Sequence, residues 1–158
     1  MNQRLIFVTL TAAIVALIDA VTKAWALDLP PEGLSLLPVL DLRLEFNRGI
    51  SFGLFSEAGG PAARIALIAF PGVLAGGVTV WALLTADPVD RIGFALISGG
   101  AIGNLIDRIP DGQVTDFIDA YANGWHFPTF NLADVAITAG AALLLVGTVR
   151  WPARRVQT

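Results

Sequence analysis

The sequence GGAIGNLIDRIPDGQVTDFIDAYANGWHFPTFNLAD, residues 99–134, decides how the rest of the chain is interpreted. It lies between two apolar runs of a chain that is otherwise poor in charge, and its polar side chains include Asn104, Asp107, Arg108, Asp116, Asp119, Asn131 and Asp134. Burial of polar or charged groups costs free energy unless they are paired. Such a concentration therefore predicts a site in which these groups interact with one another or with a ligand.

The composition is that of an integral membrane protein. Of 158 residues, 55% are hydrophobic and only 15% are charged, and the mean hydropathy is +0.70. A net charge of -3 provides no basic surface, so nucleic acid is not expected as a partner. The chain has no cysteine and one histidine, His126, which removes cysteine nucleophiles, disulfides and nearly every structural zinc scheme. No cofactor or metal is predicted.

Four apolar segments approach the roughly 20 residues that a membrane crossing requires once their polar flanks are included. The predicted spans are approximately 5–26, 65–86, 91–108 and 131–150. The N-terminal segment alone is open to two interpretations, a cleavable signal peptide ending near Ala24-Trp25-Ala26 or a retained span. The membrane character of the rest favours a retained span, and hence an all-α membrane protein with a single integral membrane domain over residues 1–158. Asp19 and Lys23, four residues apart at the end of the first span, are predicted to form a neutralising pair.

A polar region separates the first two predicted spans. Residues 41–46 (DLRLEF) alternate strictly between polar and apolar, which is typical of a half-exposed strand. A turn and a short second strand are predicted over 47–53. Because open sheet edges are not tolerated in lipid, we expect a small extramembrane β platform at approximately 34–56, on the membrane surface.

If the chain crosses the membrane four times, the polar ends of the first, third and fourth spans lie on the same side. The polar groups are therefore expected at one membrane face. Gly99 and Gly103 provide a small-residue face on the third span that would allow a close helix contact. Lysine and arginine are divided five to five between the two sides, so the positive-inside rule does not decide orientation. The arginines of the C-terminal tail favour cytoplasmic termini.

The chemistry available to this cluster is that of carboxylates. If the loop after the third span folds back over the helix ends, Asp116 can meet Asp134, and two carboxylates in a low-dielectric pocket share one proton. Such a pair can activate water with one member and protonate a carbonyl oxygen with the other. This arrangement predicts metal-free hydrolysis of a peptide bond by an aspartic mechanism.

Other interpretations of the cluster remain open. A serine–histidine pair is disfavoured because His126 lies in a predicted surface loop, away from Ser98 in the third span. A purely structural network is possible, with Asn131 as a helix cap and Asp134 complementing the helix dipole. A small transporter would use the charged groups as a polar pathway, but it predicts polar residues through the membrane depth. A non-catalytic lipid-binding or assembly subunit is the remaining alternative.

Five motifs carry a resemblance to a known family. They are Asp19-Ala20-Val21-Thr22-Lys23, Asn47-Arg48-Gly49-Ile50-Ser51-Phe52, Gly103-Asn104-Leu105-Ile106-Asp107-Arg108, Val114-Thr115-Asp116-Phe117-Ile118-Asp119 and Phe130-Asn131-Leu132-Ala133-Asp134. In order and rough spacing the chain resembles the bacterial lipoprotein signal peptidases (signal peptidase II). The resemblance extends over nearly the whole chain, and five motifs in order are much more specific than any one of them.

The resemblance implies a four-helix inner-membrane aspartic endopeptidase with an extramembrane β cradle. It implies cleavage of prolipoproteins before a diacylglyceryl-modified cysteine, inhibition by globomycin, contact with membrane lipids, and an active site that faces the periplasm. Asp116 and Asp134 match the family's catalytic pair. The residues that match substrate-pocket positions are Asn47, Asn104, Arg108 and Asn131, and those that match supporting positions are Asp19, Lys23 and Asp107.

Overall fold

The computed structural model describes residues 3–48 and 61–150. Its elements, in chain order, are α1 (Gln3–Ala26), β1 (Leu34–Leu37), β2 (Leu40–Asn47), α2 (Pro61–Leu84), α3 (Pro88–Asp111), β3 (Val114–Ala122), β4 (Trp125–His126) and α4 (Leu132–Arg150). The predicted second strand at 47–53 falls largely outside the described residues.

The helices have the apolar surface of membrane spans. α1, α3 and residues 65–84 of α2 are long and apolar enough to cross a bilayer, and residues 132–147 of α4 form a shorter apolar helix. Large apolar side chains are exposed on the helix surfaces, as at Leu17, Val73 and Leu145. Water would disfavour so much exposed apolar surface, whereas lipid solvates it. The prediction of an all-α membrane protein that carries a small β platform is confirmed.

Glycines on α3 allow α1 and α4 to approach its backbone. A Cβ atom built on Gly99 would lie 2.7 Å from the Val15 Cβ of α1, and one on Gly103 would lie 2.6 Å from Asp19 Oδ2. A Cβ on Gly100 would collide with the carbonyl oxygen of Ala133 at the start of α4. The predicted small-residue face of Gly99 and Gly103 is therefore confirmed, and these contacts bring three polar helix ends together.

α2 packs on α3 by different means. The rings of Trp81 and Phe94 stack with centroids 6.1 Å apart, and the hydroxyl groups of Thr79 and Ser98 lie 2.5 Å apart. Among the described residues, no atom outside the local helix backbone lies within 4 Å of a Cβ built on Gly76. This helix is thus held by side-chain contacts rather than by close backbone packing.

The four strands form one antiparallel sheet in the order β1-β2-β3-β4. Half of it therefore comes from the segment between α3 and α4, which sequence reasoning had not interpreted as strand. Burial alternates along Val114-Thr115-Asp116 and again along Ile118-Asp119-Ala120, and the buried Phe117 interrupts the pattern between them. The platform predicted between the first two helices is consequently larger than expected and includes Asp116 itself.

The sheet rests on the end of α1. Ala26 of α1, Leu42 of β2 and Phe117 of β3 form a buried apolar cluster, and the Trp25 ring packs edge-on against Phe117 with centroids 6.5 Å apart. Burial of these groups favours the sheet in this position. As a result β3 lies close to the helix ends at which the polar residues of α1 and α3 are found.

Candidate active site

Asp116 is held at the centre of the polar cluster by two amide side chains. Its carboxylate is 2% exposed. Oδ1 accepts a hydrogen bond from Asn131 Nδ2 at 2.6 Å, and Oδ2 accepts one from Asn47 Nδ2 at 3.2 Å. The strand pairing of β2 with β3 brings Asn47 to this position, since Asn47 pairs with Val114 and Glu45 with Asp116.

Asp134 belongs to the first turn of α4 and takes part in its cap. The Asn131 side-chain oxygen accepts from the Asp134 N–H at 3.0 Å, while Asp134 Oδ2 accepts from the Asn131 N–H at 3.2 Å. This reciprocal pair is a capping box, so the structural interpretation of these residues is realised. The other oxygen, Asp134 Oδ1, accepts from Asn104 Nδ2 at 2.9 Å. The cap therefore leaves this carboxylate facing the amides of the cluster.

The two aspartates belong to one hydrogen-bond network. Asn131 Nδ2, which binds Asp116, also lies 3.1 Å from Asn104 Oδ1, and Asn104 binds Asp134 through its amide nitrogen. Asp116 and Asp134 line the same cavity. The structure thus brings together the two carboxylates that the sequence placed 18 positions apart.

Lys23 is buried beside this network and orients it. Its ammonium group lies 2.7 Å from Asp19 Oδ2 and 3.3 Å from Asp107 Oδ2, and it donates to Asn104 Oδ1 at 2.9 Å. The expected Asp19–Lys23 pair is present. With Lys23 at its oxygen, Asn104 turns its amide nitrogen toward Asp134.

The partners of Lys23 connect the cluster to the chain around it. Asp19 Oδ1 accepts from the Ala133 N–H at 2.9 Å, in the first turn of α4. Asp107 Oδ2 accepts from the Thr115 N–H at 2.8 Å, one residue before Asp116. Asp19 and Asp107 therefore fix the two segments that carry the aspartate pair.

Arg108 completes the set of residues predicted for the site. It is buried, lines the cavity, and interacts electrostatically with Asp116 and Asp134. A guanidinium group carries five N–H donors and stays charged. It supplies positive charge next to two carboxylates in a poorly hydrated setting.

The cavity combines a polar end with apolar walls. Its volume is about 560 Å³. The polar lining residues are Asn47, Asn104, Arg108, Asp116, Thr129, Asp134 and Thr138, and the apolar ones are Phe70, Pro71, Leu74, Ala75, Val78, Ile97, Ala101, Val114, Phe127, Pro128, Phe130 and Ile137. Sequence reasoning missed the apolar walls, because an apolar residue of a membrane helix looks the same in sequence whether it faces lipid or a cavity.

The pKa of Asp116 is raised to about 6 from the ordinary value of 3.8. Burial of the carboxyl is the main cause and the nearby charge of Asp134 is the second. Hydrogen bonds from Asn47 and Asn131 act in the opposite direction. Asp116 therefore keeps its proton at pH values at which an exposed aspartate is already ionised.

Two other kinds of site find no support in the part of the chain that the structure describes. No three histidine, aspartate or glutamate side chains there are grouped so as to hold a metal ion. Ser98 is fully buried against Thr79. His126 instead pairs with Asp119 on the sheet, at 2.9 Å, in β4 rather than in a loop.

Fold and cavity together define a multi-pass membrane protein with a pair of aspartates, the buried Asp116 and the half-buried Asp134, at one end of its helices. The family model for signal peptidase (SPase) II matches residues 11–150. The chain is 38% identical to the lipoprotein signal peptidase of Hydrogenovibrio crunogenus, over 92% of this chain and 87% of that protein. It is 43% identical to that of Rhodopseudomonas palustris, over 85% and 87% respectively.

Solved structures agree in fold. A bacterial membrane enzyme determined by the in meso method at 2.3 Å resolution superposes with a TM-score of 0.81 at 24% identity, over 96% of this chain and 93% of that one. The chain belongs to the signal peptidase II family. It is accordingly a membrane peptidase of the kind that removes signal peptides from prolipoproteins. This assignment favours the peptidase over the transporter and the non-catalytic subunit.

Proposed function

We propose that the chain is an aspartic endopeptidase that cleaves prolipoproteins immediately before a diacylglyceryl-modified cysteine, with Asp116 and Asp134 as its catalytic residues. The observation that carries the proposal is the convergence of both carboxylates on one cavity through Asn104 and Asn131. The raised pKa of Asp116 supports a shared proton.

Hydrolysis by the pair requires one ionised and one protonated carboxyl group. The ionised carboxylate takes a proton from a water molecule, whose oxygen attacks the peptide carbonyl carbon, while the protonated carboxyl donates its proton to the carbonyl oxygen. Collapse of the resulting diol breaks the C–N bond as the nitrogen receives a proton. The products are the signal peptide with a new carboxyl terminus and the lipidated cysteine with a free amine.

The neighbouring groups have distinct roles in this scheme. Asn104 donates a hydrogen bond to Asp134, and Asn131 donates one to Asp116. These two bonds fix the positions of the carboxylates. Arg108 and Asn47 are at the polar end of the cavity, where they can orient the peptide backbone. The apolar walls suit the hydrophobic part of a signal peptide and the acyl chains of the modified cysteine.

The location of the site suits a substrate that arrives through the bilayer. The polar groups gather at the sheet end of α1 and α3, and this end of the helices is expected to lie at the depth of the membrane interface. We propose an inner-membrane enzyme with cytoplasmic termini and an active site that faces the periplasm. Globomycin, the inhibitor implied by the family resemblance, is expected to compete with the precursor for the cavity.

The test is cleavage of a purified lipid-modified precursor by the protein in detergent micelles. Asp116→Asn and Asp134→Asn are each expected to lower kcat by roughly 10²–10⁴-fold, because each removes one proton-transfer group. Asp111→Asn is the matched control, since Asp111 is an exposed aspartate at the end of α3. Near-normal turnover by either dyad variant, with the control also active, would refute the assignment.

A further inference from the structure

Residues 127–130, between β4 and α4, form part of the cavity wall and are named here the strap. All four of them line the cavity: Phe127, Pro128, Thr129 and Phe130. The position of the strap therefore affects the width of the space next to the aspartate pair. None of these residues belongs to the polar network that holds the pair.

The backbone ties the strap to the sheet at its two ends. The Phe127 N–H donates to the Ala120 carbonyl at 2.8 Å, and Phe130 exchanges hydrogen bonds with Ile118 at 3.1 and 2.9 Å. Between these ties Pro128 has no N–H to donate. The middle of the strap is therefore positioned by its side chains: the Phe127 and Phe130 rings pack edge-on with centroids 6.0 Å apart, and Thr129 supplies a polar contact.

Thr129 makes that contact with β2. Its hydroxyl group donates to Glu45 Oε2 at 2.6 Å, and the other oxygen, Glu45 Oε1, accepts from Arg43 Nη2 at 2.6 Å. A hydrogen bond to an ionised acceptor is shorter and stronger than one between neutral groups. Glu45 lies two residues before Asn47, which donates to Asp116. The strap and Asp116 are therefore both hydrogen-bonded to β2.

The same network holds the residue just before the strap. His126 Nδ1 lies 2.9 Å from both oxygens of the buried Asp119, and Arg43 Nη2 lies 3.6 Å from Asp119 Oδ2. Contacts therefore run from His126 through Asp119 and Arg43 to Glu45 and back to Thr129. The network therefore contacts the residue before the strap and the third residue of the strap.

We propose that the Glu45–Thr129 hydrogen bond positions the strap and thereby sets the affinity of the cavity for the precursor. This inference rests on the proposed function of the cavity. Glu45 and Thr129 are positioning residues. When the bond is lost, the strap occupies additional positions, and the fraction of molecules with a binding-competent cavity falls. KM rises, whereas kcat is preserved because Asn104 and Asn131 still hold the aspartates.

The test is Thr129→Val, which removes the hydroxyl group at nearly constant shape. KM for a lipid-modified precursor is expected to rise by about threefold to tenfold, the range for one ordinary hydrogen bond, because the Glu45 carboxylate is half-exposed. We expect kcat to change by less than about twofold. Thr9→Val is the matched control, because the Thr9 hydroxyl bonds the Leu5 carbonyl within α1. The control is expected to leave both constants unchanged.

Hydrogen–deuterium exchange supplies a readout that does not depend on turnover. Thr129→Val is expected to speed exchange of the Phe127 and Phe130 amides, and Thr9→Val is not. Glu45→Leu removes the same bond from the other side, on a half-exposed residue. Combined with Thr129→Val it is expected to raise KM no further than either change alone.

Several results would overturn the inference. It would be overturned if Thr129→Val left KM or the amide exchange of the strap unchanged, or lowered only kcat. It would also be overturned if the effects of Thr129→Val and Glu45→Leu on KM were additive. Failure of the wild-type protein to cleave any lipid-modified precursor would instead refute the proposed function. In that case the exchange measurements on Thr129→Val and Glu45→Leu still decide whether the bond holds the strap.

Discussion

The part of the cavity formed by α3, β3 and α4 is held by hydrogen bonds and ion pairs, whereas the part formed by α2 is held by apolar contacts and one pair of hydroxyl groups. On the first side Lys23 has three polar partners, and Gly100 meets the backbone of α4. On the second side, a Cβ built on Gly76 would have no neighbour within 4 Å among the residues that the structure describes, apart from its own helix backbone. A rigid polar side can fix reacting groups, while an apolar side can accommodate varied hydrophobic segments. The predictions below test this contrast.

Loss of the buried cation is expected to have the largest effect on stability. Lys23→Met leaves Asp19 and Asp107 without their ammonium partner in a poorly hydrated site, which costs roughly 3–5 kcal/mol. Arg43→Met removes a half-exposed ion pair with Glu45 and a longer contact, 3.6 Å, with the buried Asp119. It is expected to cost about 1 kcal/mol, because Asp119 keeps His126 as a partner at 2.9 Å. Thermal unfolding in detergent micelles compares the two. If the two variants lost the same free energy of unfolding, burial of the Lys23 ion pairs would not make them more stabilising than a half-exposed pair.

The pH dependence of stability isolates Asp116. Its folded pKa is raised from 3.8 to about 6, so the folded state binds the proton more tightly than the unfolded state. Wild-type stability should therefore fall as the pH rises from about 4 to about 6. The contribution is on the order of 2–3 kcal/mol. Asp116→Asn lacks this decline, so its Tm relative to wild type should increase over that range.

Asp111→Asn again provides the control for this measurement, because its carboxyl is exposed. Its Tm relative to wild type should not follow the same pH course. A constant difference between Asp116→Asn and wild type from pH 4 to 7 would contradict the raised pKa.

A pair of glycine substitutions contrasts the close and the loose helix contact. Gly100→Ala places a Cβ against the Ala133 carbonyl oxygen and is expected to destabilise by roughly 1–3 kcal/mol. It should also lower kcat, because the displaced turn contains Asp134. Gly76→Ala meets open space and should be neutral or slightly stabilising. The contrast fails if the two variants unfold at the same temperature with the same activity.

The smallest effect is expected from the hydroxyl pair between α2 and α3. Thr79→Val removes the partner of Ser98 and should cost about 0.6 kcal/mol, the average for such bonds inside a membrane. Thr9→Val, which breaks a bond within one helix, serves as the reference. A loss comparable to that of Lys23→Met would mean that α2 is fixed as firmly as the polar side.

Many features of the molecule could be predicted because they follow from local pattern. Apolar length predicts helices such as α1, alternation predicts β2, and spacing of three or four residues predicts that Asn104 and Arg108 share a face. The spacing of Asn131 and Asp134 likewise predicts the cap of α4. Each of these depends on neighbours in the sequence, so it can be deduced without knowledge of the fold.

Other features depend on residues that are distant in the sequence. β3 was missed because its apolar and polar residues do not alternate strictly in the sequence, and its partner β2 lies about 70 residues away. The contact of Thr129 with Glu45 spans 84 positions, and no periodicity relates them. The α2 residues of the cavity could not be told from lipid-facing ones.

The sequence by itself determined that this is a membrane protein, which helices it forms, and that acidic and amide groups accumulate at one end of them, because apolar length and helical periodicity are local properties. Only the tertiary structure decided that Asp116 and Asp134 share one cavity, that Lys23 lies behind Asn104, and that the strap closes one side. Those relations arise from strand register and glycine-mediated helix packing, which are set by the free energy of the whole fold rather than by any single segment.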